Sequence, residues 1–96
     1  MSAIDEESVW PVTFADGSTA KAVGCEGEVL ALVCDRAHPP GRPLELVLHA
    51  GETALTLRGK SAGSRRRDGD GLFDVRLRLH SLRRQEKETL TRAFAR

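Results

Sequence analysis

Three features of this 96-residue chain predict a mainly β fold, a barrel or sheet of about six short antiparallel strands that ends in one helix. First, Phe73-Asp74-Val75-Arg76-Leu77-Arg78-Leu79-His80 alternates apolar and polar residues without a break, the pattern of a half-buried strand. Phe73, Val75, Leu77 and Leu79 then share a core face, and Asp74, Arg76, Arg78 and His80 face water. Second, the period changes directly afterwards: Leu82, Glu86, Leu90 and Phe94 recur every four residues, with Ala93 beside Phe94, which is the rhythm of an amphipathic helix. Third, the apolar runs are short, closely spaced and separated by turn residues. With no long helical crossover between them, they must pair antiparallel almost throughout.

The elements follow in order. Residues 1–8 are a short acidic lead-in. Trp10, Val12 and Phe14 form a first strand that stops at Ala15-Asp16-Gly17-Ser18, and Pro11, lacking an amide hydrogen, places it at an edge or an open end. A second strand runs from about Thr19 to Gly24 and a third from Val29 to Cys34, with Gly24 and Gly27 predicting a bulge or sharp bend between them. Arg36 to Pro43 carries three prolines and a glycine, so it is a loop. Leu44, Leu46 and Leu48 alternate with Glu45, Val47 and His49 as far as the turn Ala50-Gly51-Glu52. The next strand points Leu55 and Leu57 inward and Thr56 and Arg58 outward, and it is expected to run long and bent toward Arg66. Asp68-Gly69-Asp70-Gly71 is a strong hairpin signal because both Asp-Gly pairs tolerate positive φ. Ser81 is expected to cap the helix, over about residues 81–95, with Glu88 and Arg92 adding an i,i+4 pair. Leu82, Leu90, Ala93 and Phe94 should pack across an open end of the barrel.

Composition limits the function. A chain of this length supports a single domain, residues 9–96, with a core that needs no disulfide or metal. Residues 1–57 hold three Lys/Arg against nine Asp/Glu, and residues 58–96 hold twelve against five, yet interleaved strands can dissolve that asymmetry. Cys25 and Cys34 fit no metal or redox spacing and are expected to be small buried thiols. No apolar run approaches the roughly 18 residues of a membrane span, and Asp5, Glu6 and Glu7 do not suit a signal peptide, so the chain is expected to be cytoplasmic, without membrane insertion. It contains no Gly-x-Ser-x-Gly, no phosphate loop ending in Lys and no nucleophile-base pair, and so reads as a non-enzyme without a cofactor or metal.

Taken together, the Pro-Gly loop feeding a Leu-x-Leu-x-Leu strand (Pro40 to Leu48), the Leu-rich strand ending in Gly59-Lys60, the charged hairpin from Arg65 to Gly71, the Val-Arg-Leu-Arg-Leu strand and the terminal helix resemble a PilZ-type domain over about residues 9–95. The resemblance implies a six-stranded antiparallel β-barrel with a C-terminal α-helix, and a place in bacterial cyclic di-GMP signalling. Ligand binding in that family rests on an R-x-x-x-R pair near the start and a [DN]-x-S-x-x-G motif on the following strand, because arginines meet both phosphates and guanines. This chain has no Lys or Arg before Lys21, and Asp5, Glu6 and Glu7 stand where the pair would lie. On Val23-Gly24-Cys25-Glu26-Gly27-Glu28, Val23 replaces the acid or amide, Cys25 the hydroxyl and Glu28 the closing glycine. The motif is degenerate, and only the bend survives.

The candidate surface is basic. Arg65, Arg66 and Arg67 are the densest charge cluster, offset by Asp68, Asp70 and Asp74. Arg76 and Arg78, with His80, form an exposed basic face, and Arg58 and Lys60 are expected beside it across the hairpin. The leading expectation is a divergent PilZ-like adaptor of motility or surface-behaviour signalling that binds protein partners and not cyclic di-GMP, a homodimer being one arrangement open to it. The alternatives are a cyclic di-GMP receptor in which Arg65 to Arg67 or Arg76 and Arg78 replace the missing arginines, and a small nucleic-acid-binding barrel. The last is disfavoured by a shortage of exposed aromatic residues for base stacking.

Overall fold

The computed structural model describes residues 9–94. The acidic lead-in 1–8 and the last position of the expected helix lie outside the described residues. Six strands form a closed antiparallel barrel in the order β1-β2-β3-β6-β5-β4, and one C-terminal helix follows. The strands are β1 (Trp10–Phe14), β2 (Thr19–Glu26), β3 (Val29–Cys34), β4 (Pro43–Ala50), β5 (Thr53–Arg66) and β6 (Phe73–Leu79), and α1 spans Arg84–Ala93.

The period-two pattern decides which side chains fill the barrel. Val12, Leu30, Leu48 and Leu77 are fully buried, with Leu32, Leu46, Leu57, Val75 and Leu79 nearly so. β1 closes the barrel by pairing with β4 from Val12↔Leu48 to Phe14↔Leu46, so Pro11 lies just beyond that ladder, at an open end. The 14 residues of β5 bend at a register shift between Ser61 and Gly63, and a second shift between Ala22 and Gly24 bends β2. The β5–β6 turn uses the Asp-Gly pairs as expected: Gly69 and Gly71 have φ of +94° and +72°, and Asp70 Oδ1 accepts the Leu72 amide at 3.0 Å.

Three local expectations are corrected. Ser81 does not cap the helix. It adopts φ +56°, turning the chain out of β6, and α1 begins three residues later, where Glu86 Oε1 accepts the Arg83 amide at 2.9 Å. Cys34 is buried, but Cys25 is only half-buried, because the β2–β3 hairpin carries it past the rim of the core. No ion pair joins Glu88 to Arg92 among the described residues. The helix covers one barrel mouth through buried Leu90, with Leu82 and Phe94 packed beside it, and Trp10 Nε1 donates to the Ala93 carbonyl at 2.9 Å.

The expected loop ends one residue early, since Pro43 opens β4, and the segment 36–42 is anchored more firmly than its prolines alone predict. His38 is 8% exposed and lies against Phe14, ring centroids 5.4 Å apart. The Ser61 and Ser64 hydroxyls donate to the His38 carbonyl at 2.8 and 2.7 Å, and Gly41 donates to the Ser61 carbonyl at 2.7 Å. These bonds tie the loop to the bulge in β5. His38 Nε2 is buried without a partner, and burial, with Arg42 and Arg36 nearby, holds the imidazole pKa below its ordinary 6.5. Above pH 6.5 both folded and unfolded chains carry it neutral. As pH falls below 6.5 the unfolded chain takes up the proton first, so stability drops toward the lowered folded pKa, by at most about 1.4 kcal/mol at pH 5.5. Urea midpoints at pH 7.5 and 5.5 test this: His38→Phe should lose less stability on acidification than the parent, and equal losses would refute it.

Candidate functional site

Alternation on four neighbouring strands builds one outer wall. The registers align three rows across β2, β3, β6 and β5: Lys21–Val33–Asp74–Arg65, then Gly24–Ala31–Arg76–Gly63, then Glu26–Val29–Arg78–Lys60. The middle row surrounds Arg76 with residues that have little or no side chain. The result is an open cleft of about 530 Å³ whose lining includes Arg65, Arg76, Ala31, Gly63, Val23 and Asp74. Gly63 has φ +128°, a conformation that a side chain would strain, so the bulge that opens the cleft depends on glycine.

Val23 lies at the other bulge. At 38% exposure it is the one exposed large hydrophobic side chain among the described residues. Alternation next to buried Ala22 points it outward, and the register shift between Ala22 and Gly24 leaves it without a partner residue on β3.

The five candidate arginines do not form one patch. Arg65, opposite Asp74 in the register, stands on the outer wall, whereas Arg66 is opposite Phe73 and so projects to the other face of the hairpin. Arg67 braces the turn, with Nε 3.4 Å from Asp70 Oδ2 and an Nη 3.8 Å from Asp74 Oδ1. Arg76 and Arg78 join Arg65 on the wall, and Lys60 lies opposite Arg78, as the alternation predicts. Arg58 is drawn aside by Glu45, at 3.5 Å. Among the described residues, Arg65, Arg76 and Arg78 enter no ion pair.

The strand that should carry the dinucleotide motif offers no directed polar group to the cleft. Cys25 Sγ points to the Gly27 carbonyl at 3.7 Å, and Glu28 pairs with Lys87 at 3.7 Å. Burial raises the Cys25 thiol pKa, which keeps it protonated and unreactive near neutral pH. Gly27, at φ +61°, makes the hairpin turn. Elsewhere His49 Nε2 lies 3.2 Å from the Thr13 hydroxyl on the surface. Among the described residues no cluster of three or more His, Cys, Asp or Glu could hold a metal ion, and no helix is long and apolar enough to cross a membrane.

Sequence reasoning identified the arginines but missed the cleft and its apolar side. The available signal was Gly63 inside a strand, since a strand-interior glycine marks a bulge or a close approach. Comparison with known proteins gave no match: no family model, no curated protein and no solved structure matches this chain.

Proposed function

We propose that this chain is a divergent PilZ-like regulatory domain that acts through protein contacts and does not take up cyclic di-GMP. One observation carries the reading. The positions that would supply a short acid or amide and a hydroxyl hold an exposed Val23 and a thiol turned onto its own hairpin carbonyl. Each lost hydrogen bond to a charged ligand forfeits roughly 1.5–3 kcal/mol, against about 8 kcal/mol for micromolar affinity, so three or four such losses leave no useful binding. A role in bacterial motility or surface behaviour follows from the family resemblance alone.

A second reading, a cyclic di-GMP receptor with a displaced site, is favoured by the meeting of Arg65 and Arg76 in one cleft. Asp74 in the same cleft opposes it, because a carboxylate there repels phosphate. Titration calorimetry separates the two. The chain is expected to give no saturable heat with cyclic di-GMP, and micromolar binding abolished by Arg65→Ala with Arg76→Ala would establish the receptor instead.

A further inference from the structure

We infer that the outer wall of β2, β3, β6 and β5 docks an extended acidic segment of a partner protein, with carboxylates at alternate positions. The inference rests on the protein-contact reading and adds the chemistry of the partner.

The barrel is closed, so this wall has no free strand edge on which a partner strand could build by backbone hydrogen bonds. Recognition must come from side chains. Arg76 and Arg78 lie two residues apart on one strand, so their side chains leave the wall about 6.7 Å apart. An extended peptide repeats its side chains at the same interval and face. Carboxylates at i and i+2 of such a peptide can therefore meet both guanidinium groups together.

The surroundings support that geometry. Ala31 and Gly63 flank Arg76 in the register, and among the described residues Arg76 enters no ion pair, so no neighbouring carboxylate competes with a two-pronged approach by the partner's. Val23 and Ala31 give an apolar contact for the methylene stems of those carboxylate side chains. The outer rows are both net basic, with Lys21 and Arg65 against Asp74 at one end and Lys60 and Arg78 against Glu26 at the other, so the wall favours an anionic segment along its length. Single-stranded nucleic acid also carries evenly spaced anions, but the described residues on this wall include no aromatic side chain for its bases.

Fluorescence anisotropy with the full chain tests the assignment, using a labelled peptide of alternating Glu and Val, a block-scrambled peptide of the same composition and an RNA oligonucleotide of equal length. The alternating peptide should bind at least tenfold more tightly than the scrambled one, and its affinity should fall with salt. Arg76→Ala should weaken it tenfold or more, Arg76→Lys should recover only part of that loss, Val23→Glu should weaken it, and Arg84→Ala on the helix should leave it unchanged. Equal binding of the scrambled peptide, equal or tighter binding of the RNA, or indifference to Arg76→Ala would overturn the inference. So would binding seen only after removal of residues 1–8, which would assign the wall to the chain's own Asp5, Glu6 and Glu7. If no peptide binds while calorimetry with cyclic di-GMP stays silent, the docking inference fails and the protein-contact reading stands; a positive nucleotide titration removes that reading.

Discussion

Gly59→Ala is expected to lower the melting temperature by more than about 12 °C or to prevent folding, the largest effect of any single-methyl addition in this barrel. Gly59 lies on the inward face of β5, between Leu57 and Ser61, and pairs with Leu44 on β4 and Leu79 on β6. A Cβ there would collide with the Arg78 carbonyl oxygen and stand 2.8 Å from the carbonyl carbon and 3.0 Å from Leu79 Cα. All three are backbone atoms, so no rotamer change relieves the clash. The two strands would have to separate, at the cost of ladder hydrogen bonds such as the His80 amide to the Arg58 carbonyl, now 2.8 Å. Overpacking a core usually costs about 1–3 kcal/mol, and a clash confined to backbone belongs at or above the top of that range. For a domain of this size each kcal/mol is worth about 4–8 °C. Gly24→Ala is the matched control. It lies in a strand of the same barrel, with ordinary φ and nothing within 4 Å of the added methyl, and should melt within a few degrees of the parent. Thermal unfolding followed by circular dichroism decides the matter, and a Gly59→Ala protein that melts beside Gly24→Ala would show that the strands can part without loss.

The same glycine illustrates what could be read without coordinates. β6 was legible because one face meets water and the other the core, so the alternation from Phe73 to Leu79 is the structure itself in linear form. β5 was legible only as far as its bulge. Up to Gly59 the inward positions keep step, but the shift between Ser61 and Gly63 moves the phase by one, and a pattern with a shifted phase looks like no pattern. That shift brings Gly63 opposite Arg76 and Arg65 opposite Asp74, so the cleft depends on a register that the residues alone do not declare. The anchoring of the Pro-rich loop was hidden for a related reason: Ser61 and Ser64 look like ordinary strand polars until the fold brings His38, more than 20 positions away, onto them. Ser81 misled because the same residue type serves a helix cap and a left-handed turn, and only the backbone angle separates the two.

Leu77→Ala is expected to cost about 2–5 kcal/mol, a large share of the roughly 5–15 kcal/mol that stabilises a domain of this kind. Leu77 is fully buried at the centre of β6, opposite Leu30 on β3 and Ser61 on β5. Its loss removes transfer free energy and leaves a hole. The closed ring of strands resists collapse into that hole, because each strand is fixed on both sides by its ladders. The effect should therefore lie above the lower limit of the range. Leu77 also holds the wall from beneath, since its strand neighbours Arg76 and Arg78 project from the opposite face. Urea unfolding should show a lower midpoint with an unchanged slope, the sign of lost stability without a change in the surface exposed. Under native conditions, where the variant is still folded, binding of the alternating acidic peptide should weaken less than twofold, because the arginines keep their register. A midpoint within error of the parent would mean that the barrel closes around the cavity. A tenfold loss of peptide binding by a fully folded variant would mean that the wall has no fixed geometry of its own.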